Sequence, residues 1–333
     1  MILITGATGL TGSHLALHLL ENGAKSVRGT YRNRAHIAKT KQVFALYRKP
    51  ELFEKIEWVH ADINDIPAFE TAFENVDFVY HCAALISFDP NDEEKLRKTN
   101  IEGTANIVNL CLRHEVRKLC HVSSAAALGN PKDNEAVVTE ETEWNPEKPH
   151  SDYGISKYGA EMEIFRGQQE GLNVVIVNPG IILGPPLWET GSSQLFVLIG
   201  KGQQFYTNGT MAFVSVIDVV KIMRLLMESN INGERFILAS ETLSYRKIFS
   251  LVADAMKKRR PSVAATPWMT SIAWRIDWVL ANVFGQKRKI SRDDARTLHT
   301  KNVYSNDKVK SVLGYEFIGV ETAVEEIARL MHF

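Results

Sequence analysis

The residues with the clearest capacity for chemistry are a serine pair and a tyrosine and lysine spaced by four. Ser123-Ser124 ends an apolar run, and Tyr153-Gly-Ile-Ser-Lys157 opens a helical pattern. Residues four apart share one face of a helix, so Tyr153 and Lys157 can point at the same cleft. An unperturbed tyrosine titrates near pH ~10, and a neighbouring ammonium favours the phenolate and lowers that value. A serine hydroxyl can hydrogen-bond a substrate oxygen while charge develops on it. Together such groups could give a proton to a carbonyl as hydride reaches its carbon, or take one from an alcohol in reverse. A tyrosine and lysine at this spacing are common on helices, so the elements that hold them must carry part of the argument.

Those elements start at residue 1. Met1 to Thr5 is a short apolar run, and Gly6, Gly9 and Gly12 follow before the amphipathic stretch Ser13 to Glu21. This order predicts a buried strand, a glycine turn and a helix whose positive end faces the turn, which suits a pyrophosphate. Further strands are expected at Ser26 to Tyr31, Ile56 to Ala61, Asp77 to Cys82, Lys118 to Ser123 and Asn173 to Asn178. Between them lie helical patterns, the longest at Asp92 to His114 and Tyr153 to Gln169. The alternation predicts an α/β fold, a Rossmann-type doubly wound parallel sheet with ligands at the carboxyl ends of its strands. After Pro179 the rhythm breaks into Gly- and Pro-rich sequence and further helical patterns. We therefore expect a nucleotide-binding domain over 1–179, with about 212–233 returning to it. A smaller, mainly helical substrate lobe is expected from 180–211 and 234–333.

Composition narrows the function classes. The 333 residues include 39 acidic and 39 basic side chains. A formal charge of zero offers no whole-chain field for nucleic acid, and the cationic run Lys257 to Arg260 suits a helix C-terminus better than a nucleic-acid patch. Cys82, Cys111 and Cys120 lack metal-ligand spacing and read as reduced thiols of a cytoplasmic protein, with no metal site expected. Strand one begins at the first residue, which leaves no room for a leader peptide. The segment Thr266 to Phe284 holds Trp268, Trp274 and Trp278, but Arg275 and Asp277 interrupt it, so no transmembrane segment is expected. The wall of an apolar pocket, or lobe core, accounts for it better.

Taken together, Thr5-Gly6-Ala7-Thr8-Gly9-Leu10-Thr11-Gly12, Ala61-Asp62-Ile63, His81-Cys82-Ala83-Ala84, Asn100, Val122-Ser123-Ser124 to Gly129, Tyr153 to Lys157 and Asn178-Pro179-Gly180 resemble the extended short-chain dehydrogenase/reductases, the group called NAD-dependent epimerase/dehydratases. The resemblance implies Ser124 as the catalytic hydroxyl, five residues before Gly129, with Ser123 a structural neighbour. It implies Tyr153 as proton donor or acceptor and Lys157 as the residue that holds the nicotinamide ribose and tunes the tyrosine. Cofactor contacts are implied at Gly6, Thr8, Gly9, Leu10 and Gly12 in the turn, Asp62 and Ile63 beside adenine, and Ala83 and Ala84 after strand four. Pro179 and Gly180 follow strand six. Asn100 matches a family asparagine, as a brace of the active-site backbone or a proton relay.

The end of strand two carries no acidic residue for a ribose 2′-OH. Arg32 stands where similar NADP-linked reductases carry a phosphate-binding arginine, and Lys39 adds a second charge, so NADP(H) is expected ahead of NAD(H). Ala125 and Ala126 replace the Asp-Glu pair of sugar-nucleotide dehydratases. Met211 stands near the place of the epimerases' diphosphate-clamping arginine. Phe205, Tyr206, Phe213, Trp188 and the tryptophan-rich segment point to an apolar or aromatic small-molecule substrate, as in relatives similar to dihydroflavonol 4-reductases and 3β-hydroxysteroid dehydrogenases. The expected activity is reduction of an apolar ketone or aldehyde, or oxidation of the alcohol. Epimerisation of a sugar nucleotide and non-enzymatic NADP-linked redox sensing are the alternatives. The resemblance also implies a homodimer built on the helices Asp92 to His114 and Tyr153 to Gln169.

Overall fold

Strands made of unbroken apolar runs must be covered on both faces, and that requirement sets the architecture. The computed structural model describes residues 1–87, 89–129, 137–187, 193–284 and 292–331. Seven strands, β1 (Ile2–Thr5), β2 (Val27–Tyr31), β3 (Ile56–His60), β4 (Phe78–His81), β5 (Lys118–Val122), β6 (Val174–Pro179) and β7 (Glu234–Leu238), form one sheet in the order β3-β2-β1-β4-β5-β6-β7. Every neighbouring pair in it is parallel. The order reverses between β1 and β4, where a doubly wound sheet opens its ligand crevice.

Alternate residues supply the two cores. Ile4, Val175 and Val177 face one layer with Leu15, Leu19, Ile222 and Leu226, whereas Leu3, Val174 and Ile176 face the other with Phe69, Phe73, Ile107 and Ile164. The helix Asp152–Gln169 lies on the second layer against Gly103–Arg113. A methyl at Gly167 would sit 2.5 Å from Val108 Cγ1, so close approach of these helices depends on that small residue.

The expected doubly wound fold is present. One strand lies elsewhere than expected: β7, assigned by sequence to the second lobe, pairs along its whole length with β6, from Glu234 beside Val175 to Leu238 beside Pro179. The lobe has its own three-stranded sheet, in which Thr210–Ser215 runs between Ile181–Leu183 and Glu241–Ser244. Its core gathers Leu183, Phe196, Phe213, Ile248 and Val324. Phe213 is therefore core, not pocket wall. The expected helix Asp92 to His114 is continuous in course but contains a π-helical turn at Arg97–Glu102, the segment that carries Asn100.

The tryptophan-rich helix Pro267–Phe284 corrects another expectation. Trp268 is 65% exposed, Ile276 54% and Trp278 50%, so this helix is not lobe core. Thr270 is its one buried residue among those described, hydrogen-bonding to His299 at 3.0 Å. Among the described residues no helix is long and apolar enough to cross a membrane.

Candidate active site

The glycine turn joins β1 to the helix Leu10–Glu21. Gly6 adopts φ +66°, a left-handed conformation that glycine reaches without the strain of a Cβ. A Cβ there would also lie 2.8 Å from the backbone nitrogen of Ala83, so the end of β4 closes directly over the turn. A Cβ at Gly12 would fall well inside van der Waals contact of the Gly6 carbonyl oxygen and 2.9 Å from Ala7 Cα. Gly9 N–H donates to Gly6 O at 3.0 Å, and no side chain caps the helix. This cradle fits a pyrophosphate: the backbone lies bare, the helix presents its positive end, and its first turn holds no acidic residue.

The flanking positions fall into two groups. Arg32, at the exit of β2, is exposed and makes no ion pair among the described residues, and Lys39 is half-buried in the next helix. Asp62 is half-buried and accepts from Asn64 N–H at 3.0 Å. Ala83 is tied to β1 through Thr5, and Ala84 beside it is half-buried. Ile63, in contrast, is buried against Gly103, and its carbonyl accepts from Asn106 at 2.9 Å. Gly180 lies after β6, where a side chain would strike the Ala212 carbonyl, so packing explains that glycine. Trp188 lies outside the described residues.

Ser124, Tyr153 and Lys157 converge at the carboxyl ends of β5 and β6. Ser124 starts the short 3-10 turn Ala125–Ala127, and its hydroxyl accepts from Ala126 N–H at 3.2 Å. The helix Asp152–Gln169 is capped by Ser151, which accepts from Gly154 N–H at 3.1 Å. Gly154 lets its first turn rest on the Ser124 turn, since a Cβ there would lie 2.9 Å from Ala126 O. Tyr153 is thereby brought into a hydrogen bond with Ser124. Ser123 faces away, buried, and donates to Glu161 at 2.5 Å.

The electrostatics depart from the expected tuning. Burial pushes the Tyr153 phenol above its ordinary value, and the Ser124 hydrogen bond only partly opposes this. The Lys157 ammonium turns toward β5, donating to Val122 O at 2.9 Å. It lies 3.5 Å from His121 Nε2. Burial lowers Lys157 to about 8, opposed by Glu161 and Cys82. Cys82 is a protonated thiol at neutral pH, pushed up to about 12 by burial.

A buried polar chain beneath the site escaped the sequence reading. Ala83 N–H donates to Thr5 Oγ1 at 3.1 Å, which leaves the Thr5 hydroxyl to donate to His81 Nδ1 at 2.7 Å. His81 Nε2–H then donates to Thr104 Oγ1 at 3.0 Å, and Thr104 to Asn100 O at 2.6 Å. One tautomer satisfies every bond. Burial depresses His81 to about 3, and the His121 ring lies tilted against it with ring centroids 5.1 Å apart. Asn100 itself accepts from Leu85 N–H at 2.8 Å and donates to Leu85 O and Ser156 Oγ, both at 2.9 Å. Its amide thus ties the segment after β4 to the helix that carries Tyr153. The available signal was polar residues inside otherwise apolar strands.

Comparison with known proteins agrees with this fold. The NAD dependent epimerase/dehydratase family matches residues 2–239. The chain belongs to that family. It is 30% identical over 271 residues to sterol demethylase protein B of Methylococcus capsulatus, covering 80% of this chain and 77% of that one. It is 31% identical over 265 residues to tetraketide alpha-pyrone reductase 2 of Arabidopsis thaliana, covering 76% and 81%. The solved structure of gox2253 superposes with a TM-score of 0.81 at 28% identity, over 100% of this chain and 98% of that one. The protein is an enzyme of the NAD(P)-dependent oxidoreductase and epimerase type with the extended short-chain dehydrogenase/reductase fold.

Proposed function

We propose that the protein is an NADP(H)-dependent oxidoreductase that reduces a relatively apolar ketone or aldehyde, or oxidises the corresponding alcohol. The observation that carries this reading is the Ser124–Tyr153 hydrogen bond at the sheet's carboxyl edge, with the buried Lys157 one helical turn further on. The nicotinamide, when bound, supplies or accepts the hydride. Tyr153 delivers the proton to the substrate oxygen, and its raised value keeps it protonated at neutral pH, the form that reduction requires. Ser124 orients that oxygen by the hydrogen-bonding direction that Ala126 N–H and Tyr153 leave open. Lys157 contributes positive charge at the site floor. Arg32 and Lys39 favour a 2′-phosphate over a bare ribose hydroxyl.

The alanines after Ser124 leave no carboxyl group there for dehydration, and Met211 offers no charge to a diphosphate. Reductases among the relatives, including anthocyanidin reductase of Arabidopsis thaliana and vestitone reductase of Medicago sativa, support the same direction. The test is a panel of aromatic and alicyclic ketones and aldehydes beside sugar nucleotides, followed by NADPH absorbance and product analysis. Net NADPH oxidation with a carbonyl compound supports the reading. An isomerised sugar nucleotide without net NADPH consumption overturns it.

A further inference from the structure

One carboxylate lies wholly inside the protein behind the site and has no part in the chemistry described so far. Glu161 is 0% exposed, one helical turn beyond Lys157. Its Oε1 accepts from Ser123 Oγ and Asn178 Nδ2, each at 2.5 Å, and its Oε2 from Arg235 at 3.3 Å. The same Asn178 amide donates to Ser124 O at 3.1 Å. Arg235 is itself fixed, donating through Nε to Glu140 O at 2.9 Å, and the Glu140 carboxylate accepts from Ile237 N–H at 2.8 Å.

We propose that Glu161 is a positioning residue: a buried anion that fixes the strand end bearing Ser124 and holds Lys157 in its ammonium form. The proposal rests on the reductase reading only in taking Ser124 and Lys157 as working parts of the site.

Two arguments support it. The first concerns the charge of Glu161. Burial pushes its carboxyl up, but its oxygens accept from Ser123, Asn178 and Arg235, and donors favour the ionised form. Asn178 Nδ2 and the Arg235 guanidinium offer no lone pair to the O–H of a protonated carboxyl. The second concerns the surroundings of Lys157. On its own helix it faces Tyr153 and Glu161; on β5, His121; at the end of β4, His81 and Cys82. Burial keeps Tyr153, Cys82 and both histidines uncharged near neutral pH. Glu161 is then the anion among the described residues that opposes desolvation of the ammonium. The i to i+4 spacing places the two side chains on one helix face.

The test titrates Lys157 directly in the cofactor-free full chain, by the 13Cε resonance of labelled lysine, assigned with Lys157→Arg. Glu161→Gln should lower the Lys157 midpoint by about one pH unit, and Glu161→Asp, which keeps the charge, should recover most of that difference. The alkaline limb of NADPH-dependent turnover should move in the same direction. Should Glu161→Gln fail to fold by circular dichroism, Arg235→Gln removes the cation that faces the same carboxylate, and the Lys157 midpoint should then rise. A Lys157 midpoint unchanged in a folded charge-removed variant overturns the proposal. A shifted midpoint alongside full turnover in Tyr153→Phe would leave Glu161 in place and refute the reductase reading instead.

Discussion

Two glycines of the opening turn have different reasons to lack a side chain, and substitution should separate them. At Gly12 an added methyl would collide with the Gly6 carbonyl and lie 2.9 Å from Ala7 Cα, both backbone atoms that cannot rotate away. Overpacking of this kind costs about 1–3 kcal/mol, and alanine recovers up to about 1 kcal/mol as the better helix former. Gly12→Ala should therefore lose up to about 3 kcal/mol, a fall in melting temperature of roughly 2–4 °C for each kcal/mol. The shift of the turn should weaken NADPH binding as well. At Gly9 the backbone is extended, with φ −88° and ψ 174°, and the nearest atom to an added Cβ is Gly6 O at 3.4 Å, an ordinary contact. Gly9→Ala should cost less than about 1 kcal/mol, the usual price of alanine at a helix N-cap. The new methyl would stand where phosphate must approach the backbone, so NADPH affinity should fall about 10- to 100-fold, or about 1.4–2.8 kcal/mol. The assays are a thermal melt and NADPH fluorescence titration on both variants. The reasoning fails if Gly12→Ala melts and binds like the parent, or if Gly9→Ala loses stability in step with affinity.

Two further outcomes follow from the charged groups. Arg32→Asp should shift the ratio of kcat/KM for NADPH over NADH toward NADH by about tenfold or more, since a charge-assisted hydrogen bond is worth about 1.5–3 kcal/mol; an unchanged ratio removes Arg32 from cofactor selection. Acid stability tests the buried histidines. Burial depresses His14 and His18 to about 4, His81 to about 3, and His121 well below its usual value. The unfolded chain binds their protons near pH ~6.5, so their stabilising contribution is complete above that pH and is lost as pH falls toward 4 and 3. Urea midpoints should fall steadily from pH 7 to pH 4.5, and His81→Phe should flatten the slope; a flat parent profile would contradict the buried neutral imidazoles.

Much of the site was legible because helix and strand periods are fixed by backbone geometry. Tyr153 and Lys157 had to share a face, and glycines after an apolar strand had to form a tight turn. The family motif selects Ser124 over Ser123, and the Ser123 hydroxyl donates to Glu161. What escaped depended on partners remote in sequence. The Lys157 ammonium is taken up by Val122 O, a contact no spacing rule contains. His81, His121 and Glu161 interrupt apolar patterns, yet their bonds run to β1, to two helices and to β7. Strand β7 was misassigned because Glu234 to Leu238 follows a long excursion, and pairing with β6 is decided by the sheet's open edge. The tryptophan-rich helix shows the reverse limit: its apolar residues marked a helix, but could not show that Trp268 and Trp278 remain exposed.

Tyr153→Phe tests the central claim most directly. The substitution removes only the phenolic oxygen hydrogen-bonded to Ser124 and leaves the ring in place. The account predicts that reduction of a carbonyl substrate falls at least about 10²-fold, the lower range for a lost general acid, while NADPH affinity stays within about twofold of the parent. Turnover retained at the parental rate would contradict it.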